Sequence, residues 1–225
     1  MTNRKSLTVL LALPLILLTM SLVQAGRDNK KPAPEALDYN EETHLVFMRE
    51  EEKLARDVYI TLGGLYPEYT VFGSIVGSEQ NHTDTMKDKL EQFNIPDPST
   101  DDTVGVFTGS DYGWYFTEKY ILLTNWGAES ALAALYVGAF IEELDMHDIV
   151  LCPDVIVEID NGVGEDECGM LYTDAAALIA SYDNLVEGSK NHLRAYVKNI
   201  ETFIGAGNYQ AQYLTQEEVD EILGR

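Results

Sequence analysis

Apolar positions recur at steps of three and four along four stretches of this chain, and the spacing predicts four amphipathic helices. The first runs from about Glu41 to Leu62, with Leu45, Met48, Ala55, Tyr59 and Leu62 on one face, and Gly63-Gly64 reads as its stop. The second starts after Thr70, a suitable N-cap, carries Phe72, Ile75, Met86 and Leu90, and ends at Phe93 before Pro96 and Pro98. A third spans about Ser130 to Val150, with Leu132, Leu135, Ala139, Met146 and Ile149 in line. The fourth spans about Asp174 to Ile204, with Leu178, Tyr182, Leu185, Tyr196 and Phe203, and Gly205 follows it. Thr215 with Glu218 three residues on predicts a short capped helix at the end.

These helices predict an all-α fold, a four-helix bundle. About eight residues join the first pair, so its helices should be antiparallel neighbours. Some 35 separate helices two and three, enough to cross the bundle's length, and that is the ferritin-like topology. The crossover should hold an irregular segment and a short helix near EKYILLTNWG. Between helices three and four, DVIVEIDNGVGEDECG alternates and contains Asn161-Gly162, which predicts a small disulfide-closed loop or hairpin.

Each long helix interrupts its stripe near mid-length: with Glu52, with Glu79 and His82, with Glu142, and with Ser189 and His192. Asp145 lies one position aside from Glu142. Residues three apart share a helix face, so Glu79 and His82 can meet at one centre. Burying several carboxylates together costs desolvation and mutual repulsion, and metal ions remove both costs. Oxygen donors with imidazole suit iron or manganese. Di-metal carboxylate bundles take a Glu from each of two helices and Glu-x-x-His from each of the other two. Here Ser189 stands where the last Glu would be. The expected ligands are Glu52, Glu79, His82, Glu142, Asp145 and His192, holding two ions, with one ion as the reduced alternative. A metal-free hydrogen-bonded core is the competing reading. Glu50 and Glu51 are expected to face solvent beside Lys53, and His44 and His147 to lie on the surface.

Composition narrows the setting. The chain has 225 residues, 38 acidic against 15 basic, with a net charge of −23. Such a surface repels phosphate backbones, so nucleic acid is not an expected partner. Residues 1–25 begin with Arg4 and Lys5, continue through an uncharged run of about 17 residues, and end in Val23-Gln24-Ala25. They read as a secretory signal cleaved after Ala25, with an uncleaved anchor as the alternative. Residues 26–39 read as a linker and 40–225 as the domain, with no membrane span once the signal is cleaved. Export would favour a disulfide between Cys152 and Cys168. The acidic run from Asp160 to Glu167 lacks the ligand order of an EF-hand and reads as a solvated loop.

Four segments, MREEEKLARDVY (48–59), SEQNH (78–82), VGAFIEELDMHDI (137–149) and GSKNHLRAYVKNI (188–200), resemble an exported, uncharacterised family of ferritin-like domains related to the rubrerythrins. The similarity extends from about Asn40 to Leu223, although the third connection is longer than that family's. Glu52, Ala55, Arg56 and Tyr59 repeat the rubrerythrin spacing, which favours Glu52 over Glu51 as a ligand. The resemblance implies redox chemistry of iron or peroxide, and Ser189 is its main departure. The chain carries no rubredoxin-like cysteine pairs, so any electron donor would be a separate partner of unknown identity. A homodimer is one assembly open to it. The alternative function is a metal-sequestering or metal-free interaction module at the cell surface, without catalysis.

Overall fold

Asp38 opens the first helix by accepting from the Glu41 N–H at 3.0 Å, while its own N–H donates to Glu41 Oε2 at 2.8 Å. This reciprocal cap starts α1, Tyr39–Leu65, in a computed structural model that describes residues 36–159 and 163–225. The expected signal, most of the expected linker and Asn161-Gly162 fall outside the described residues. Among those described, regular structure is entirely helical: α1, α2 (Val71–Phe93), α3 (Gly113–Gly127), α4 (Ala131–Val150), α5 (Asp154–Ile159), α6 (Ala176–Ile204) and α7 (Gln216–Leu223).

Gly63-Gly64 does not stop α1, which continues to Leu65. Gly63 has another use: a Cβ there would meet the Phe72 side chain at 3.0 Å, so its absence lets the start of α2 press against α1. α2 ends where Asn94 turns left-handed, φ 61°, ahead of the two prolines. Ser130 caps α4 by accepting from Ala133 N–H.

Cross-helix contacts fix the directions. Gly63 meets Phe72 and Glu52 meets His82, so α1 and α2 run oppositely. Tyr59 bonds Glu142 while His44 bonds the Asp148 carbonyl, so α1 also opposes α4. Asp145 meets Ser189 and Glu142 meets His192, which sets α4 against α6. Tyr69 stacks on Phe203 and Glu79 reaches His192, which sets α2 against α6. α2 and α4 are therefore parallel, and the chain between them must travel the length of both. Residues 94–112 do so irregularly, and α3 completes the passage against α1 and α4.

The crossover corrects the surface expectation for Glu50, Glu51 and Lys53, all of which are buried. Lys53 Nζ donates to Asp57 Oδ2 at 2.5 Å, to the Thr103 carbonyl at 3.0 Å and to the Val106 carbonyl at 2.9 Å. Gly105 N–H donates to Asp57, and Gly109 N–H to Glu50 Oε1. α1 is thus enclosed on the face that its charges would assign to water. His44 is buried too, while Phe203 is 47% exposed despite the stripe that assigned it to the core.

The expected hairpin is corrected as well. Val155 and Ile156 lie in the helix α5, started by Pro153, whose carbonyl accepts from Ile156 and Val157. Both side chains pack into the core, and no partner strand is present among the described residues. Cys152 and Cys168 are bonded, S–S 2.01 Å, and Glu165 to Glu167 are exposed. At the end of the chain, Glu143 Oε2 accepts from the N–H groups of Gln212, Tyr213 and Leu214, fastening that segment to α4. Among the described residues no helix is long and apolar enough to cross a membrane.

Candidate metal centre

Half-way along α1, α2, α4 and α6, five of the six expected ligands converge. Glu79 lies at the middle. Its Oε2 is 3.3 Å from His82 Nδ1, and its Oε1 is 2.7 Å from His192 Nδ1. Glu52 Oε2 approaches His82 Nδ1 from the other side at 3.3 Å, and Glu142 Oε2 approaches His192 Nδ1 at 3.3 Å. Two triads result, Glu52–Glu79–His82 and Glu79–Glu142–His192, with the donor atoms of each within 4.8 Å of one another. The two imidazoles lie 5.5 Å apart with nearly parallel planes.

Glu52, Glu79 and Glu142 are at most 2% exposed, yet both oxygens of Glu52, Oε1 of Glu79, and Nδ1 of each histidine have no hydrogen-bond partner. Each Nδ1 lies within 3.3 Å of two carboxylates. Buried polar atoms are ordinarily paired, so a converging set of orphans is the arrangement a cation would complete. Tyr59 donates to Glu142 Oε1 at 2.6 Å, which leaves Oε2 toward His192. Gly188 makes room on the opposite side, because any Cβ there would overlap His82 Nε2.

Asp145, the sixth expected ligand, belongs to neither triad. Its Oδ2 accepts from Ser189 Oγ at 2.5 Å, and its Oδ1 is buried without a partner. The Ser189 hydroxyl thus holds a neighbouring carboxylate where a glutamate would have supplied its own.

The charges answer to one another. Burial disfavours the His82 imidazolium, but attraction from Glu52 and then Glu79 outweighs it and raises its pKa to about 12. His192 is likewise raised to about 10 against burial, chiefly by Glu142. Burial opposes the Glu79 charge, yet the two imidazoles beside it lower its pKa to about 2. Burial raises Glu142 to about 7, with His192 working in the other direction. Without a metal, the imidazoles are therefore the counter-charges of the cluster.

A second acidic group adjoins the first and was not foreseen. Glu51 and Asp148 are buried within hydrogen-bonding reach of each other, and Asp148 Oδ1 also meets His147 Nδ1 at 2.8 Å. His147, expected on the surface, is partly buried by this contact. Asp148 sits three residues after Asp145, a spacing that places both on one face of α4 and was legible in the sequence.

The profile of the uncharacterized protein domain DUF2202 matches residues 41–225. The chain belongs to that family. Its DUF2202 region is similar to the uncharacterized protein MJ0754 of Methanocaldococcus jannaschii, 39% identical over 183 residues, which cover 81% of this chain and 86% of that protein. The crystal structure of the hypothetical protein MJ0754 superposes with a TM-score of 0.71 at 38% identity, covering 85% of this chain and 95% of the other. The family match, residues 41–225, spans every candidate ligand of the centre.

Proposed function

We propose that this DUF2202 protein is an exported ferritin-like protein whose α1–α2–α4–α6 core holds iron or manganese, two ions when fully loaded. Convergence of five buried ligand side chains from four helices, with both Glu52 oxygens lacking a hydrogen-bond donor and Glu79 offering one oxygen to each imidazole, is the observation that carries the reading. Four long helices, each opposed to two of the others, with a lengthwise crossover between the parallel α2 and α4 support the ferritin-like description. The buried Cys152–Cys168 bond supports an oxidising compartment, either free of the membrane after signal cleavage or tethered by an uncleaved leader.

Iron or manganese bound there would supply Lewis acidity and one-electron exchange with peroxide or dioxygen. The chain's own groups do the rest. Glu52 with His82 and Glu142 with His192 form the two ends, and Glu79 serves both. Tyr59 keeps Glu142 turned toward His192, and Ser189 holds Asp145 in reserve beside the centre. Electrons for any turnover come from a separate donor.

Elemental analysis of the mature, disulfide-bonded protein beside Glu79→Ala/His82→Ala tests this. About two metal ions per chain, lost in the variant, is the expected result. Absence of metal, with no change in melting temperature on adding Fe²⁺ or Mn²⁺, would leave a metal-free structural bundle.

A further inference from the structure

A pocket of roughly 280 Å³ opens between α3, α4 and α5, and none of the residues lining it belongs to either triad. Four aromatic side chains form its walls: Trp114 and Tyr115 from α3, Phe140 from α4, and Tyr213 from the C-terminal segment. They meet in two edge-to-face pairs. Trp114 crosses Tyr115 at 79° with centroids 6.0 Å apart, and Phe140 crosses Tyr213 at 82° and 6.2 Å. The rings therefore stand in several planes around one space. Two long-range ties hold the walls in place. Glu143 Oε2 accepts from the N–H groups on both sides of Tyr213 and from its own, and the Cys152–Cys168 bond fastens the chain just ahead of α5.

The charges on these walls are nearly of one sign: Asp148, Asp154 and Glu158 against Lys119. Lys119 Nζ lies 4.9 Å from the Tyr115 ring centroid, so an aromatic face here already receives an ammonium group. An anion entering the pocket would meet three carboxylates. A small metal ion would meet mostly ring carbon, which cannot replace its water ligands. A weakly hydrated organic cation suits both features. Ring faces attract its charge, the carboxylates add to that attraction, and its methyl groups pack against the rings.

We propose that this pocket binds a small quaternary ammonium compound, its head group seated among Trp114, Phe140 and Tyr213 and its charge answered by Asp148, Asp154 and Glu158. The site uses neither triad and stands whether or not the core holds metal. Choline and 3,3-dimethyl-1-butanol are suitable probes, because they share a shape and differ in charge. The full mature, disulfide-bonded protein would be titrated calorimetrically with each at constant ionic strength, beside Trp114→Ala, Asp154→Asn/Glu158→Gln and Lys119→Met. Trp114, Asp154 and Glu158 are exposed, so these replacements leave the core intact.

The wild type is expected to bind choline roughly tenfold more tightly than the neutral alcohol. Trp114→Ala should weaken choline binding roughly fivefold, and the double carboxylate variant by a similar factor. Lys119→Met should strengthen it, because the ammonium that competes for the Tyr115 face is gone. Equal affinity for choline and the alcohol would overturn the proposal and leave an apolar cleft. Choline binding that is unchanged in both Trp114→Ala and the double carboxylate variant would place the cation elsewhere, and absence of choline binding to the wild type would overturn the proposal outright.

Discussion

Two hydrogen bonds hold His44 neutral. A carbonyl can only accept, so Nε2 carries the proton and donates to the Asp148 carbonyl at 2.7 Å, and Nδ1 accepts from Tyr182 Oη at 2.8 Å. Burial lowers the pKa from 6.5 to about 4. A depressed imidazole contributes stability above its unfolded value, and that contribution disappears as pH falls through the folded one. Metal-free protein should therefore lose up to about 3 kcal/mol between pH 6.5 and 4 from this residue alone. Urea unfolding across that range should show a flatter acid limb in His44→Gln; an identical limb would contradict the assignment. The centre offers a second test at this scale. Tyr59→Phe removes the donor that orients Glu142, and calorimetric metal titration should show affinity weakened by roughly tenfold or more. The metal-free protein should lose about 1–3 kcal/mol of unfolding free energy as well, because Glu142 Oε1 is left buried without its donor.

Among the elements, the segment 94–112 has no ladder of its own and is held by side chains of α1. Lys53 is its chief anchor, satisfying two crossover carbonyls and the buried Asp57 carboxylate. Lys53→Met leaves Asp57 paired with Arg56 alone among the cations and strips the Thr103 and Val106 carbonyls of their donor, and should cost about 1–3 kcal/mol in chemical denaturation. Amide exchange should rise first in residues 103–109. These interactions also explain what could be read beforehand. Glu52, Glu79, His82, Glu142 and His192 were legible because each breaks an apolar stripe that periodicity defines. Glu50, Glu51, Lys53 and His44 were not, because their burial is imposed by the crossover, by α3 and by α4, and no local pattern announces a partner so distant in sequence. VIVEI misled for a related reason: alternation matched a strand, but Pro153 and two inward side chains suit one turn of helix equally well. Asp145 was expected as a ligand but belongs to neither triad, because its carboxylate is taken by Ser189, a bond that depends on how α4 and α6 meet.

Across the whole molecule, 38 acidic residues against 15 basic make self-repulsion a general load on the folded state. Monovalent salt should raise the melting temperature of the metal-free protein by screening it, with no saturation at a simple stoichiometry. A specific ion behaves differently. At a hundredfold excess over its dissociation constant it should add about 2.7 kcal/mol, and at constant ionic strength this increment should vanish in Glu79→Ala/His82→Ala. Calorimetry comparing Mn²⁺ with NaCl in both proteins separates the two effects.

The α1–α2 pair and the α4–α6 pair offer nearly the same donors, a glutamate from one helix and a histidine from the other, but only the first pair brings Glu79; the second has Ser189 at that place. A dinuclear core built on such halves is lopsided. One end sits next to a spare carboxylate and the other next to a phenol, so its two positions differ in charge and in the ion each prefers.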